Sequence, residues 1–402
     1  MKVRTEVPEL NFYDHQGAEP AILCLSHLAW DYVWQRPQQI LSRLALHYPV
    51  LYLNDPIHLP AATPTPQLRL VSDENRVRAW QPGIPERPVA IANWRNHYQE
   101  LVCQALLEQG WIRIGENGPA PRRPLILWFY TPTPCYILRC IPAALVVYDV
   151  MDELANFYGA DRALRWREVV LMAAADIVFT GGRSLYQARA GRHPNVHLFP
   201  SGVQPDHFAR ALAPETPLNP LLAAIPEPRL GYIGVIDERI DLALLASLAG
   251  AHPEWSLVMV GPVAKIDPSS LPRRPNIHYL GRQPYEELPT LLKGFAVCLM
   301  PFALNKATRS ISPTKALEYM AAQKPIVSTP VPDVAAAWDD VVYIAGTAAA
   351  FAQAITAALA EDGKARRQRH RREQAHIRRH TWDAIVGEMQ QLIAAALANV
   401  KS

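Results

Sequence analysis

Short apolar runs recur along the chain, and most are followed by a segment in which apolar residues have helical spacing. Runs this short are typical of strands that are buried on both faces of a sheet. In the first half, the predicted strands are Ala21–Leu25, Val50–Leu53, Leu125–Phe129, Ala144–Tyr148, Asp176–Thr180 and Val196–Phe199. In the second half, they are Arg229–Gly234, Ser256–Val260, Ile277–Leu280, Ala296–Met300 and Ile326–Thr329. Because strands alternate with helices, each half is predicted to form a doubly wound, Rossmann-like parallel sheet of the α/β class.

A stretch rich in proline and alanine, residues 209–228, interrupts this alternation and is predicted to be a linker. The chain has 402 residues, half of them hydrophobic, which is enough to build two cores. We therefore predict a first domain over residues 1–208 and a second domain over residues 229–380. A final amphipathic helix is predicted within residues 381–402.

Charge and cysteine content narrow the class of protein. The formal net charge of +3 is too small to indicate a nucleic-acid partner. The five cysteines are scattered without the spacing of a zinc site, which favours a reduced, cytoplasmic protein. The N-terminus lacks the apolar core of a signal peptide, and no apolar run reaches the length of a membrane span.

One segment, residues 364–380, is strongly basic, with eight Lys and Arg side chains against Glu373. The usual meaning of such a run is a solvated helix face. The alternative is a peripheral contact with a membrane, which would place the protein at its inner face.

The stretch from Met300 to Pro330 has the features of an anion site. A buried strand is followed by a polar loop and then by a helix that we expect to start at Ser312, with Pro313 in the first helical position. The free N–H groups and the positive dipole end of a helix attract phosphate. Charge and hydrogen bonds would come from Lys306, Arg309, Ser310, Ser312, Thr314 and Lys315. The alternative is an ordinary turn between a strand and a helix that binds nothing.

Two loops of the first half also follow buried strands, where open α/β sheets bind ligands. The loop after Leu25 contains His27, Trp30, Asp31, Trp34 and Arg36, which we predict to contact a ligand. The two tryptophans could instead only pack the following helix against the sheet.

The other loop contains three carboxylates, Asp149, Asp152 and Glu153, directly after a predicted strand. Carboxylates in this position are suited to acid–base chemistry or to binding hydroxyl groups. The alternative is that Asp152 or Glu153 caps the helix that follows.

Several segments resemble one family in the order in which they occur. Phe199–Phe208 resembles the segment between the domains of retaining, family-4-type GT-B glycosyltransferases. The turns at Gly234, Gly261 and Gly281 resemble the strand–glycine landmarks of their second domain. The segment from Ser312 to Val327 resembles their donor-binding helix and the following strand, and Thr381–Trp382 resembles their closing segment. Segments around Trp30–Gln38, Tyr148–Glu153 and Phe179–Gly182 resemble a bacterial subgroup of teichuronic acid glycosyltransferases.

The resemblance implies roles for individual residues. Glu318 matches the second Glu of the family's E-x7-E motif, which binds the donor ribose, whereas Ser310 stands at the position of the first Glu. Val235 stands where the family has an arginine of its diphosphate-binding pair, so Arg239 is the expected cation, with Lys306, Arg309 or Lys315 as substitutes. Gly234 and Gly261 would line the donor. Asp152 and Glu153 are expected beside the acceptor or the transferred sugar, and the last helix is expected to cross back to the first domain. The resemblance also implies that the ligand of the loop after Leu25 is the acceptor, so the expected acceptor-binding residues are His27, Trp30, Asp31, Trp34 and Arg36.

These features together predict transfer of a sugar from a nucleoside diphosphate sugar, with a UDP-sugar as the expected donor, to an acceptor hydroxyl. Retention of anomeric configuration follows from the resemblance alone. The setting would be synthesis of cell-envelope polysaccharide or glycolipid, and we expect no cofactor and no metal, because fixed cations neutralise the diphosphate. Two alternatives stay open: a UDP-sugar epimerase, and a catalytically degenerate GT-B partner or assembly protein.

Overall fold

The computed structural model describes residues 18–60, 62–63, 65–85, 91–116, 118–309, 311 and 314–400. As predicted, it contains two parallel sheets, one in each half of the chain. Almost every central strand is fully buried, which explains why these strands are short continuous apolar runs rather than alternating ones.

The first half contributes strands β1 (Ala21–Leu25), β2 (Val50–Leu53), β3 (Ile57–Leu59), β4 (Gln67–Glu74), β5 (Val77–Pro85), β6 (Ile112–Gly115), β7 (Gly118–Pro121), β8 (Leu125–Phe129), β9 (Leu145–Val150), β10 (Ile177–Thr180) and β11 (Val196–Leu198). Its helices are α1 (Arg36–Leu44), α2 (Ile91–Glu108), α3 (Leu164–Ala174) and α4 (Arg183–Ala190). The sheet has the order β11-β10-β9-β8-β1-β2-β5-β3, and only β4 is antiparallel among its described strands.

The second half contributes β12 (Arg229–Ile233), β13 (Ser256–Val260), β14 (Ile277–Tyr279), β15 (Val297–Met300), β16 (Ile326–Ser328) and β17 (Val342–Ile344). Its sheet has the order β14-β13-β12-β15-β16-β17, which is the 3-2-1-4-5-6 order of a doubly wound fold. The helices from the connection onward are α5 (Pro205–Ala209), α6 (Leu242–Ala251), α7 (Leu288–Lys293), α8 (Lys315–Ala321), α9 (Pro332–Trp338), α10 (Ala348–Leu359), α11 (Gly363–Arg379) and α12 (Trp382–Val400).

Each sheet has a point at which the strand order reverses, between β1 and β8 in the first sheet and between β12 and β15 in the second. In open α/β sheets, ligands bind outside the carboxyl ends of the strands at such a point. The loops that follow these strands therefore form the part of each half where a site is expected.

The last helix joins the first half although it follows the second in sequence. Its side chains Trp382, Ile385, Met389 and Ile393 are buried in the same cluster as α1. The chain returns beside Val203, whose carbonyl oxygen accepts a hydrogen bond from the backbone N–H of Trp382 at 3.1 Å. No helix of the described residues is long and apolar enough to cross a membrane.

Some local predictions differ from the structure. The helix expected to start at Ser312 begins at Lys315, after Thr314, while Ser310, Ser312 and Pro313 lie outside the described residues. The segment predicted to be a linker contains short 3-10 turns, and the Lys293 ammonium group donates to its carbonyl oxygens, which fixes it to the second half. The antiparallel strand β4 is not among the predicted strands, because its side chains are mostly exposed and polar.

Candidate active site

A cleft of about 700 Å³ lies between the carboxyl ends of the two sheets. This volume is in the range of sites that hold a nucleotide-sized ligand. The first half contributes the loop before α1 and the loop after β9, and the second half contributes the turns after β12, β13 and β14 and the start of α8.

Two glycines allow neighbouring turns in the second half of the cleft to pack closely together. The backbone φ angles of Gly234 and Gly261 are +152° and +144°, a region that favours glycine. A Cβ atom at Gly261 would lie 1.9 Å from the carbonyl oxygen of Gly234, and one at Gly234 would lie 2.2 Å from Cε of Lys315. The turns after β12 and β13 and the Lys315 side chain are therefore closely packed. A larger residue at Gly261 would collide with backbone, and one at Gly234 would have a strained backbone and would displace the end of the Lys315 side chain.

Arg239 lies in this wall and is held by Asp237 in a fork. Its Nε donates to both carboxylate oxygens at 2.9 and 3.1 Å, and its Nη2 donates to Oδ2 at 2.7 Å. Asp237 also accepts the backbone N–H of Arg239 at 3.0 Å and is only 2% exposed. The planar guanidinium is thus fixed along one edge, while a quarter of the arginine side chain stays exposed.

Lys315 and Glu318 lie one helical turn apart at the start of α8, and both line the cleft. The Lys315 ammonium nitrogen is 5.7 Å from the centre of the Tyr232 ring. Burial lowers the pKa of Lys315, and the Glu318 carboxylate opposes that shift. Burial likewise raises the pKa of Glu318, and the Lys315 charge opposes it. Each charge therefore stabilises the other in a partly desolvated site.

The first half of the cleft is built around a buried ion pair. The Arg36 Nε donates to both oxygens of Asp149 at 3.0 and 3.1 Å, and its Nη2 donates to Oδ1 at 2.8 Å. Its Nη1 donates to the carbonyl oxygen of Phe199 at 2.8 Å. This pair joins the start of α1 to β9 and to the chain that leaves β11.

Aromatic side chains cover the loop before α1 and reach the second half. The rings of Trp30 and Trp34 are 6.2 Å apart, and Trp34 is 6.2 Å from Tyr285. Arg282, after β14, donates to the carbonyl oxygens of Asp31 and Tyr32 and lies 5.3 Å from the Tyr32 ring centre. The two walls are therefore in contact across this end of the cleft.

Asp152 lies on the first-half wall among cations of the second half. Burial raises its pKa, the positive charges of Arg239, Lys265 and Lys315 oppose the increase, and the negative charge of Asp237 adds to it. The Asp152 carboxylate is thus placed where its charge depends on groups from the opposite wall.

The cleft brings together most of the side chains selected from the sequence. Those that line it are Trp30, Asp31, Trp34, Arg36, Asp152, Gly234, Arg239, Gly261, Thr314, Lys315 and Glu318. Their roles in binding or catalysis stay predictions. Arg36 is a special case, because its guanidinium is occupied by Asp149 and Phe199 and its side chain is 2% exposed.

Other selected residues do not line this cleft. Glu153 turns away, and its carboxylate accepts a hydrogen bond from Arg189 Nη2 at 2.9 Å. The Nδ1 of His27 is a buried atom without a partner in the described structure, and burial lowers the pKa of this imidazole to about 4. Lys306 and Arg309 are not part of the lining, and the three positions Ser310, Ser312 and Pro313 lie outside the described residues.

The sequence reasoning missed two residues that shape the site. Asp237 could have been found, because it precedes Arg239 by two positions in a short turn between a strand and a helix. Arg282 had no such signal, since its partners lie about 250 positions away in sequence and only the fold brings them together. Among the described residues, no group of three His, Cys, Asp or Glu side chains is arranged to hold a metal ion.

Comparison with known proteins connects this geometry to one family. Residues 227–361 match the family described as glycosyl transferases group 1. The chain is also 29% identical over 158 residues to TuaH of Bacillus subtilis (strain 168), described as a teichuronic acid biosynthesis glycosyltransferase. That match covers 38% of this chain and 39% of TuaH, so it spans about two fifths of the relative's length.

Solved structures with a similar fold cover nearly the whole chain. Sucrose-phosphate synthase from Thermosynechococcus elongatus has a TM-score of 0.66 at 18% identity, over 95% of this chain and 100% of that one. An E. coli structure described as trehalose-6-phosphate bound with UDP-2-fluoro glucose has a TM-score of 0.66 at 14% identity, over 94% of this chain and 99% of that one. An alpha,alpha-trehalose-phosphate synthase from Burkholderia xenovorans, in complex with glucose-6-phosphate, has a TM-score of 0.64 at 14% identity, over 94% of this chain and 100% of that one. The chain therefore has the GT-B fold, and its residues 227–361 match the glycosyl transferases group 1 family.

Proposed function

We propose that this protein transfers a sugar from a nucleoside diphosphate sugar to an acceptor hydroxyl in the synthesis of cell-envelope polysaccharide or glycolipid. The observation that carries the proposal is the cleft itself. It places two cations, Arg239 and Lys315, beside the glycine turns of one sheet and the Asp152 carboxylate on the wall of the other. The cations would bind the diphosphate of the donor, and the carboxylate would bind hydroxyl groups of the acceptor.

The donor would bind against the second half. Arg239 presents a fixed guanidinium edge and Lys315 a point charge, and together they suit the two negative charges of a diphosphate. Glu318, at the same end of the cleft, would accept hydrogen bonds from the ribose hydroxyls. A UDP-sugar is our expected donor, and the UDP-2-fluoro glucose of the similar E. coli structure supports that choice.

The chemistry would follow from charge neutralisation. When the bond between the anomeric carbon and the diphosphate oxygen breaks, the electron pair stays on the diphosphate. Preorganised cations stabilise that developing charge without rearranging. The acceptor oxygen then bonds to the anomeric carbon, and its proton passes to the departing diphosphate. We propose retention of configuration, which the resemblance to family-4-type enzymes supports.

The acceptor would enter from the first half. Trp30 and Trp34 offer apolar faces, and Asp31 and Asp152 offer carboxylates that can orient hydroxyl groups. The similarity to TuaH supports a glycan or glycolipid acceptor. Contact of the basic segment 364–380 with a membrane is also proposed. It forms α11, whose Arg369, Glu373 and Ile377 are buried, so only its other face is available.

We propose that no metal ion takes part, because Arg239 and Lys315 already provide positive charge at the diphosphate position. Activity should be unchanged after the protein is treated with a chelator and assayed in metal-free buffer. Loss of activity that is restored by Mg²⁺ or Mn²⁺ would contradict this part of the proposal.

The proposal is tested with a panel of nucleoside diphosphate sugars, using calorimetry for binding and product analysis for transfer. We expect a UDP-sugar to bind and Glu318→Ala to weaken its binding more than tenfold, because a buried ribose would lose a charged hydrogen-bond partner. The control is Glu388→Ala, which removes an exposed glutamate of α12. If no nucleotide sugar binds or reacts and Glu318→Ala changes nothing, the proposal is wrong. Conversion of the donor without an acceptor would indicate an epimerase instead, and binding without any reaction would indicate a degenerate partner protein.

A further inference from the structure

One helix of the first half exposes large apolar side chains to solvent. Trp166 and Val169 on α3 are 63% and 55% exposed, and Tyr158, in the turn before α3, is 89% exposed. Arg162 and Arg165 are exposed between them. We call these five residues the α3 surface.

The spacing shows that this is one face of the helix. Positions 165, 166 and 169 follow the three- and four-residue steps of a helical stripe, and Arg162 lies in the turn just before the helix. The opposite stripe, Leu164, Leu171 and Met172, is buried. The helix is therefore fully packed on its inner side, and the aromatic and apolar side chains of the outer stripe have no core left to join. A cluster of exposed aromatic residues is a recognised mark of an interaction site.

The charge of this surface is positive. Glu238, from the second half, accepts a hydrogen bond from the backbone N–H of Tyr158, and two acidic residues near Trp166 are occupied by ion pairs. The Asp161 carboxylate accepts from Arg167 Nη1 at 2.9 Å, and Glu168 is turned inward, where it accepts from Arg189. Arg162 and Arg165 remain as exposed charges beside Trp166.

We propose that the α3 surface binds an anionic lipid bilayer, with Trp166 and Tyr158 at the level of the headgroups and Arg162 and Arg165 on the lipid phosphates. Trp and Tyr side chains prefer the membrane interface because their rings are apolar and carry one polar group. Arginines next to them are attracted to anionic lipids.

The basic helix α11 offers a contrast. Its exposed positions include Lys364, Arg367, Arg371 and Arg378, but none of its exposed residues is a large apolar side chain. Such a face can be attracted to an anionic surface without entering it. The α3 surface combines charge with aromatic groups, so it is the face that would hold the protein at the bilayer.

The position of the α3 surface relates bilayer binding to the cleft. The backbone N–H of Tyr158 donates to Glu238 at 3.2 Å, and the ring of Phe157 lies 5.9 Å from the guanidinium carbon of Arg239 in the cleft wall. The α3 surface therefore borders the cleft. If the proposed transfer is correct, a lipid-linked acceptor would reach the cleft from the bilayer without leaving it.

The experiment measures co-sedimentation of the full chain with vesicles of phosphatidylcholine, alone or mixed with phosphatidylglycerol. We expect binding only to the mixed vesicles. The Arg162→Gln and Arg165→Gln pair should lower the partition coefficient about thirtyfold, since each cation near an anionic surface contributes about a factor of five. Trp166→Ser with Tyr158→Ser should also reduce binding, and added salt should not restore it.

The matched control is Ile114→Ser, which removes an apolar side chain with nearly the same exposure, 60%, on the β6–β7 hairpin. It should bind vesicles like the unchanged chain. The proposal is overturned if no vesicle binding occurs, if the α3 variants bind normally, or if only Arg371→Gln with Arg378→Gln in α11 reduces binding. Capture of a protein through Trp166 without vesicle binding would also overturn it. None of these readouts depends on transferase activity, so their failure is distinct from failure of the proposed function.

Discussion

Two arginine–aspartate pairs lie in opposite walls of the cleft, and their local geometry is nearly the same. In the first half, Arg36 Nε and Nη2 donate to Asp149 at 2.8 to 3.1 Å. In the second half, Arg239 Nε and Nη2 donate to Asp237 at 2.7 to 3.1 Å. Geometry alone would assign both pairs the same role, so any difference between their roles must come from their surroundings.

The surroundings differ in exposure and in sequence separation. The side chains of Arg36 and Asp149 are 2% and 0% exposed, they are 113 positions apart, and a third donor nitrogen of the arginine is used by Phe199. Arg239 is 25% exposed, and its partner is two residues away in the same turn. The first pair joins distant segments, whereas the second fixes one side chain at the edge of a cleft. We therefore expect a direct contact with a ligand from Arg239, whose guanidinium is still partly accessible, and not from Arg36.

The largest expected effect is on stability, and it comes from the first pair. Arg36→Met would leave the Asp149 carboxylate charged, buried and unpaired. We expect the free energy of unfolding to fall by about 3–5 kcal/mol, as is typical when one partner of a buried pair is removed. Denaturant unfolding followed by tryptophan fluorescence measures this change.

The matched variant is Arg239→Met, which makes the same substitution in the other wall. It should destabilise the protein less, because Asp237 keeps a hydrogen bond from a backbone N–H and has Lys315 nearby. Equal losses of stability in the two variants would show that the two pairs do not differ in the way described.

The second expected effect is on catalysis, and it comes from the second pair. If Arg239 stabilises the departing diphosphate, Arg239→Met should lower kcat about 10²- to 10³-fold, the usual effect of removing one preorganised charge donor. Arg239→Lys should recover only part of the activity, because lysine supplies the charge without the fork. Steady-state kinetics, with near-ultraviolet circular dichroism as a check of folding, measures both. A kcat within a factor of about two of the unchanged protein would show that the exposed edge of Arg239 does not act on the diphosphate.

The sequence was sufficient for the fold because the buried strands form continuous apolar runs. The turn that carries Arg239 was also identified, since the resemblance implies a diphosphate-binding cation soon after this strand and its glycine. Arg36 was selected because its loop follows a buried strand, but its partner was not foreseeable. The contact with Asp149 depends on β1 and β9 lying in one sheet on either side of β8. No local sequence pattern indicates this arrangement.

The start of α8 shows a different limit. Ser312 and Pro313 form a typical helix start by residue type. Both lie outside the described residues, and the described part of the helix begins at Lys315, with Thr314 already in a helical conformation. Residue preferences locate a helix end to within a few residues, whereas the position of the Lys315 ammonium group depends on its contact with Gly234.

The smallest expected effect concerns Asp152, whose charge is set by the second wall. Burial raises its pKa, Lys265 lowers it and Asp237 raises it. If the ionised carboxylate is required, activity falls as the pH is lowered through this raised pKa. Lys265→Gln removes a cation that favours the ionised form, so the acidic limb of kcat/KM should move to higher pH. Asp237→Asn removes an anion that disfavours the ionised form, so the limb should move to lower pH.

Both shifts should be a fraction of a pH unit. The Lys265→Gln shift should shrink with added salt, because Lys265 is exposed and its charge is screened, whereas the Asp237→Asn shift should persist, because Asp237 is buried. The measurement is kcat/KM against pH at low and high ionic strength, with Asp152→Asn as the variant that should lose the limb altogether. Shifts in the same direction for Lys265→Gln and Asp237→Asn would assign the limb to a different group. Shifts in opposite directions would show that charges on the second wall set the protonation of a group on the first, which the two ion pairs alone cannot establish.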